Sequence, residues 1–145
     1  MIASFLIPTR NRPENLARAI DTALALAAKP DEIEFLIGAD QDDPSLAKTH
    51  DVIEQRLAHC RLEIFSERQG YEGLFIYFNH LASLSRGNWL LNWNDDSEMQ
   101  TKGWDTLLQT APLVSVQLLR RQGLEHADPT HPAIGRPIYD AMGHL

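Results

Sequence analysis

The sequence predicts an α/β protein in which a mostly parallel β-sheet carries helices on both faces. Two observations predict this class. Short apolar runs of strand length recur along the chain, and amphipathic segments with a helical period lie between them. A helix between two strands returns the chain to the same end of the sheet, so the strands are expected to pair in parallel.

Four apolar runs are predicted strands, and each is followed by polar or turn-forming residues. They cover residues 2–7, 33–39, 61–66 and 88–93. The first is expected to end at Pro8, because proline cannot donate a backbone hydrogen bond.

Three helices are predicted between these strands. The first has Pro13 in its first turn and ends before Pro30, the second follows Pro44, and the third is expected to end at Gly87. In each helix the apolar residues share one face, which predicts burial of that face against the sheet. These residues are Leu16, Ala19, Ile20, Ala23, Leu24 and Ala27, then Leu46, Ile53 and Leu57, then Leu74, Phe78 and Leu81.

The chain beyond the fourth strand has weaker patterns. They predict a short helix at 103–111, a strand at 114–119, a loop at 123–137 and a final helical turn or two at 138–143.

Composition indicates one acidic globular domain over residues 1–145. Hydrophobic residues make up 43% and charged residues 23%, which is typical of a folded chain. The net charge of -7 argues against a nucleic-acid partner, since phosphate backbones are bound by surplus Lys and Arg. The single cysteine, Cys60, excludes an internal disulfide and a Cys-rich zinc site. With no apolar run near the roughly 20 residues of a membrane span, we expect a cytoplasmic location.

Polar loops follow all four predicted strands, at 8–12, 39–43, 67–73 and 94–98. Ligands of parallel α/β sheets bind beyond the carboxyl ends of the strands, so these loops are expected to form one site. The sequence has no GxGxxG after the first strand and no GxxxxGK[ST] anywhere, which excludes the dinucleotide and phosphate-loop motifs.

Asp95 and Asp96 place two carboxylates directly after the fourth strand. Like charges repel, so the pair either lies in a solvated turn or holds something positive. Hard carboxylate oxygens suit Mg²⁺ or Mn²⁺, which would relieve the repulsion.

An ordered set of motifs resembles the nucleotide-sugar-dependent glycosyltransferases of the GT-A fold, in particular the inverting family 2. The set is the Pro-Thr-Arg-Asn-Arg loop, Asp40 after the second strand, Asn79 eight residues before Gly87, and the aspartate pair. The resemblance extends over about residues 2–110.

This resemblance implies a donor site for a nucleoside-diphosphate sugar, with UDP the expected nucleotide. Asp40 would hydrogen-bond the base, Asp95 would contact the ribose, and Asp96 would bind the Mn²⁺ or Mg²⁺ that bridges the two phosphates. The nucleotide pocket would also be lined by Pro8, Thr9 and Arg10. Asn79 is a further donor-binding candidate, although Phe78 stands where the family usually has an arginine.

An inverting transfer to a glycan or other hydroxyl acceptor also needs a general base. Asp128 is the candidate, with Asp140 as the second choice. His131 and His144 could complete the metal shell, since neutral imidazole is a competent ligand. Trp104 either packs in the core or stacks on a sugar ring.

Family members are generally longer, so this chain is either a truncated catalytic domain or a minimal relative, short of part of the acceptor-binding half. Two other functions stay open. One is a non-catalytic or partner-completed nucleotide-sugar-binding module. The other is a sugar-phosphate nucleotidyltransferase, which characteristically has a Gly-rich first loop, whereas the loop "PTRNRP" contains no glycine.

Overall fold

The structure is a computed structural model that describes residues 1–119 and 131–145. In these residues six strands form one sheet in the order β3-β2-β1-β4-β6-β5. The strands are β1 Ala3–Thr9, β2 Ile33–Asp40, β3 Cys60–Phe65, β4 Trp89–Asn92, β5 Val116–Leu119 and β6 His131–Gly135. The helices are α1 Pro13–Leu26, α2 Leu46–Glu54, α3 Leu74–Leu84, α4 Trp104–Thr110 and α5 Arg136–Met142, with a 3₁₀ turn at Pro30–Glu32.

The sheet is mostly parallel, as the sequence predicts. β1 pairs in parallel with β2 and β4, and β2 pairs in parallel with β3. β6 runs antiparallel to both β4 and β5. The carboxyl ends of β1 to β4 therefore meet at one edge of the sheet, which is where the four polar loops lie.

Helices cover both faces of the sheet, which confirms the predicted fold class. On one face Phe5 of β1 packs with residues of α1, α2 and α4. On the other face Leu6 packs with Leu36 and Leu90 and with Leu81 of α3. Adjacent residues of a strand point to opposite faces, so the apolar run in β1 supplies both cores.

The first strand is longer than predicted and continues through Pro8 to Thr9. β4 pairs only with Ala3 to Leu6, so Pro8 lies where β1 has a partner on one side. A missing amide donor is tolerated at such an edge position.

The predicted loop at 123–137 is wrong at its end, because His131–Gly135 is a strand and α5 already begins at Arg136. Pro132 and Gly135 resemble turn residues in sequence. Pairing with β4 on one side and β5 on the other overrides this local signal. Residues 120–130, which include Asp128, lie outside the described part of the chain.

Two helix predictions also need correction. Leu57 is 69% exposed because α2 ends at Glu54, before the predicted apolar stripe is complete. α3 ends at Leu84 instead of at Gly87. Gly87 has a different role: a Cβ there would lie 2.5 Å from the backbone nitrogen of Ser4, so glycine permits close contact with β1.

Cys60 is expected to be unreactive in the native protein. Its side chain is buried at the start of β3, and this burial raises the pKa of the thiol to about 12. The reactive thiolate is therefore scarce at neutral pH. We expect labelling by a thiol reagent at pH 8 to be at least about 100-fold slower in buffer than in urea. Similar rates in the two solvents would contradict burial of this strand.

Candidate functional site

A cavity of about 320 Å³ lies at the carboxyl ends of the parallel strands. Its lining comes from all four polar loops and from the start of α3, and the lining residues lie within 8–12, at Asp40, within 68–77 and within 94–96. The volume falls at the lower end of the range typical of small-molecule sites. The predicted convergence of the four loops is therefore observed in the fold.

Asp40 lies in the wall of this cavity and is almost completely buried. Its Oδ2 accepts a hydrogen bond from Nη1 of Arg10 at 3.1 Å, and its Oδ1 accepts one from the Tyr77 hydroxyl. The same hydroxyl accepts a bond from the backbone N–H of Gln69 at 2.9 Å. Burial, and next the bond to Asp40, raise the pKa of Tyr77, so the phenol remains a proton donor.

Arg10 links the buried Asp40 to the exposed Asp42. Its Nη1 lies 2.6 Å from Oδ1 of Asp42, whose side chain is 66% exposed. The hydrogen bond from Arg10 lowers the pKa of Asp42, and the same bond raises the pKa of Arg10. Both groups are therefore charged at neutral pH, and Arg10 is held against the mouth of the cavity.

Asp95 and Asp96 also line the cavity. Oδ2 of Asp95 accepts a hydrogen bond from Oγ1 of Thr9 at 2.8 Å, and this carboxylate is buried. Nη1 of Arg12 lies 3.2 Å from Oδ1 of Asp95 and 3.5 Å from Oδ2 of Asp96. The side chain of Asp96 is about half exposed. The positive group that the aspartate pair contacts in this structure is thus a guanidinium.

Asp43 ties the first loop to the second. Its buried carboxylate accepts bonds from the backbone N–H of Asn11 at 3.1 Å and of Ser45 at 2.8 Å. Asn11 has a φ of 56°, a left-handed conformation that asparagine tolerates better than most residues. This contact fixes the direction in which Arg10 and Arg12 leave the loop.

Asn79 lies outside the lining of the cavity. Its Nδ2 donates to the carbonyl oxygen of Phe75 at 2.8 Å, and its Oδ1 accepts from the backbone N–H of Leu145 at 2.6 Å. The side chain therefore ties α3 to the C-terminus. This geometry favours a structural role over the donor contact predicted for Asn79.

His131 contacts the turn that carries Asp95 and Asp96 (the aspartate turn), and it is not among the residues that line the cavity. Its Nε2 hydrogen-bonds with Oγ of Ser97 at 2.9 Å, and its ring packs 4.5 Å from that of Trp93. Trp93 in turn donates its ring N–H to the carbonyl oxygen of Ser97 at 2.9 Å. The predicted metal ligand instead supports the turn that carries Asp95 and Asp96.

The remaining candidates are also away from the cavity. Asp140 is exposed on α5, and His144 is exposed with Nδ1 2.9 Å from the carbonyl oxygen of Met142. Trp104 is buried and donates its ring N–H to Ala23, which places it in the core and not against a sugar.

Comparison with known proteins identifies the family. The family model described as Glycosyl transferase family 2 matches residues 4–112, about three quarters of the chain. The chain belongs to glycosyl transferase family 2. The resemblance inferred from the motifs is therefore confirmed. A search of curated proteins found no significant match.

Solved structures show the same GT-A fold. A mannosyltransferase from Pyrobaculum calidifontis, in complex with GDP-Man and Mn²⁺, matches with a TM-score of 0.77 at 14% identity, over 99% of this chain and 47% of that one. TarS 1-349 from S. aureus with UDP-GlcNAc matches with a TM-score of 0.66 at 18% identity, over 88% of this chain and 36% of that one. The chain thus spans half or less of the length of these two.

The same architecture occurs in a synthase that has a different named activity. A 4-diphosphocytidyl-2C-methyl-D-erythritol synthase from Anaerococcus prevotii matches with a TM-score of 0.62 at 11% identity, over 97% of this chain and 74% of that one. This likeness concerns the fold alone.

The family 2 domain has carboxylates that suit a divalent cation. Asp95 and Asp96 are close enough for one cationic nitrogen to contact both, and their oxygens are the donors that Mg²⁺ and Mn²⁺ prefer. Within 1–119 and 131–145, no group of three or more His, Cys, Asp or Glu is placed to hold a metal. The described residues would therefore supply at most two carboxylates, and a diphosphate and water would supply the remaining ligands.

None of the helices in the described residues is both long enough and apolar enough to cross a membrane.

Replacing Asp95 with asparagine is expected to raise the melting temperature of the free domain at pH 7. Burial raises the pKa of Asp95, so the native state binds its proton more tightly than the unfolded chain. The free energy of unfolding therefore falls as the pH rises from the unfolded pKa through the folded one, and the full loss remains at neutral pH. Neutral asparagine avoids this loss.

The advantage of Asp95→Asn should shrink as the pH falls to about 3, where the Asp95 carboxyl of the wild type is mostly protonated in the native and in the unfolded state. Thermal melts followed by circular dichroism from pH 3 to pH 8 measure it. Asp31→Asn, at an exposed position, is the matched control and should change little throughout. A variant that melts below wild type at pH 7 but not at pH 3 would reverse the sign and contradict the prediction.

Proposed function

We propose that this family 2 domain binds a nucleoside-diphosphate sugar, with UDP as the nucleotide, and transfers the sugar to a hydroxyl acceptor with inversion. The observation that carries the proposal is the convergence of Asp40, Asp95 and Asp96 on one cavity that is also lined by arginines. Buried acceptors suit a base and a ribose, and arginines suit a diphosphate. TarS is complexed with UDP-GlcNAc and the Pyrobaculum mannosyltransferase with GDP-Man, so these structures support a nucleoside-diphosphate sugar, and the choice of uridine follows from the motif resemblance.

Asp40 is the residue proposed to recognise the base. An ionised carboxylate only accepts hydrogen bonds, so it favours a base edge that carries an N–H group, such as N3 of uracil. Arg10 and Tyr77 hold the carboxylate in one orientation from two sides. Pro8 and Thr9 line the cavity beside it, and Thr9 also fixes Asp95 for a ribose hydroxyl.

Asp96 is proposed as the residue that holds Mn²⁺ or Mg²⁺. The cation would stabilise the negative charge that develops on the departing diphosphate. The Mn²⁺ complex of the Pyrobaculum mannosyltransferase supports this assignment. The half-exposed carboxylate of Asp96 can reach a ligand in the cavity without losing a buried partner.

The general base and the acceptor are proposed from the sequence alone. Asp128 remains the proposed base and lies outside the described residues. The acceptor is a glycan or another hydroxyl compound, and nucleic acid is not an expected partner of this acidic chain. The cytoplasm remains the proposed location.

Calorimetric titration of UDP tests the proposal, with and without Mn²⁺. We expect binding that Mn²⁺ strengthens about 10-fold or more, and we expect Asp96→Ala to remove this dependence on Mn²⁺. Asp31→Ala, an exposed aspartate, provides the control. No binding of UDP in either condition, or binding with the same Mn²⁺ dependence in Asp96→Ala, would contradict the proposal.

A second candidate is a nucleotide-sugar-binding module that a partner completes. The observation that favours it is the cavity lining, which among the described residues contains the donor-site candidates and no residue assigned to the acceptor. Donor hydrolysis and transfer to a panel of hydroxyl acceptors separate the two functions. The module would bind UDP as tightly as the enzyme but give no turnover.

A further inference from the structure

Arg12 contacts both aspartates that the proposed function assigns to the ribose and to the metal. Its Nη1 atom lies 3.2 Å from Oδ1 of Asp95 and 3.5 Å from Oδ2 of Asp96. We infer that Arg12 and a divalent cation compete for this aspartate pair. When nucleotide and metal bind together, the metal takes the place of the guanidinium at the aspartates, and the guanidinium binds the diphosphate of the nucleotide. The inference rests on the proposed function and adds a residue that makes metal binding depend on the nucleotide.

The backbone of Arg12 is fixed, whereas its side chain is half exposed. The residue immediately precedes α1, where its carbonyl oxygen accepts a bond from the N–H of Leu16 at 3.0 Å and Pro13 restricts its conformation. The Arg12 side chain is 53% exposed and lines the cavity. Asp95, by contrast, is 8% exposed and is fixed by Thr9. Competition would therefore move the arginine and not the buried carboxylate.

Charge explains why the two cations exclude each other. Arg12 already neutralises part of the repulsion between the carboxylates, so a metal that binds alone must break two ion pairs and approach a positive group. These pairs are weak because Arg12 and Asp96 are half exposed. The released guanidinium gains a bidentate partner only when a diphosphate is present. Metal and nucleotide should therefore bind cooperatively.

The inference is tested by titrating the nucleotide-free protein with Mn²⁺ and measuring the free Mn²⁺ by electron paramagnetic resonance. We expect Arg12→Met to bind Mn²⁺ about 5- to 30-fold more tightly than wild type, because two ion pairs no longer need to be broken. Arg18→Met is the matched control, since it removes the same charge from a guanidinium that contacts Glu98 and Asn15. It should change the affinity less than about 2-fold.

Repeating the titration with saturating UDP measures the coupling. UDP should strengthen Mn²⁺ binding by a smaller factor in Arg12→Met than in wild type, because the variant has no guanidinium to transfer. Unchanged or weaker Mn²⁺ binding by Arg12→Met, in a protein whose wild type binds UDP with Mn²⁺, would overturn this inference alone. No Mn²⁺ binding by any of the proteins, with or without UDP, would overturn it together with the proposed metal dependence.

Discussion

Replacing Asp40 with alanine is expected to weaken UDP binding about 10- to 100-fold. The buried carboxylate is the proposed partner of the base, and hydrogen bonds to an ionised group contribute roughly 1.5 to 3 kcal/mol. The substitution also removes the shared acceptor of Arg10 and Tyr77, so both side chains lose a partner at the cavity wall. Calorimetric titration of UDP measures the effect.

Asp42 provides a matched control for Asp40. It contacts the same arginine, but its side chain is 66% exposed and it is not among the residues that line the cavity. Asp42→Ala should change UDP affinity less than about 5-fold, the range of an exposed ion pair. Equal losses in the two variants would show that the position of Arg10, and not a contact between Asp40 and the base, controls affinity.

Replacing Phe5 with alanine is expected to lower the free energy of unfolding by about 4 kcal/mol. Phe5 is fully buried in the centre of the sheet. Its ring centroid lies 4.8 Å from that of Phe35, 5.3 Å from Trp93 and 5.2 Å from Trp104. Removing the ring leaves a cavity that strands on both sides and α4 cannot fill without moving. Trp93, which holds the aspartate turn through Ser97, would lose a packing partner.

Urea unfolding followed by far-ultraviolet circular dichroism measures this loss and does not depend on tryptophan fluorescence. Phe75→Ala is the matched control, because Phe75 is 58% exposed on α3 and should change stability by less than about 0.5 kcal/mol. If Phe5→Ala does not fold, Phe5→Leu should show a smaller loss in the same direction. A loss below about 1 kcal/mol for Phe5→Ala would contradict a close-packed aromatic core.

Tyr77 shows why part of the site was missed in the sequence. It is a large residue in the first half of an amphipathic helix and looks like one more core residue, yet its hydroxyl binds Asp40. Asn79, two residues later, was expected in the site but lies outside its lining. Two residues turn a helix by about 200°, so these side chains leave α3 in opposite directions. The sequence alone did not show which direction faces the loops.

Arg12 was part of the recognised loop motif, yet sequence analysis gave it no role. Which of two nearby arginines contacts which aspartate depends on the path of the loop, and Asp43 fixes that path from another part of the chain. Arg10 turns to Asp40, while Arg12 turns to Asp95. These pairs are 30 and 83 residues apart in the sequence, so they are tertiary contacts that local patterns do not encode.

Periodicity by itself determined the parallel sheet, its first four strands and the loops that follow them, because buried strands and amphipathic helices each impose their own spacing on apolar residues. Contacts distant in sequence decided the remaining features. Pairing with β4 and β5 makes His131–Gly135 a strand despite its proline and glycine. The packing of α3 against β1 and β2 places the hydroxyl of Tyr77 against Asp40. The local sequence determines which faces of a helix or strand are apolar, whereas the tertiary packing determines which neighbours those faces contact.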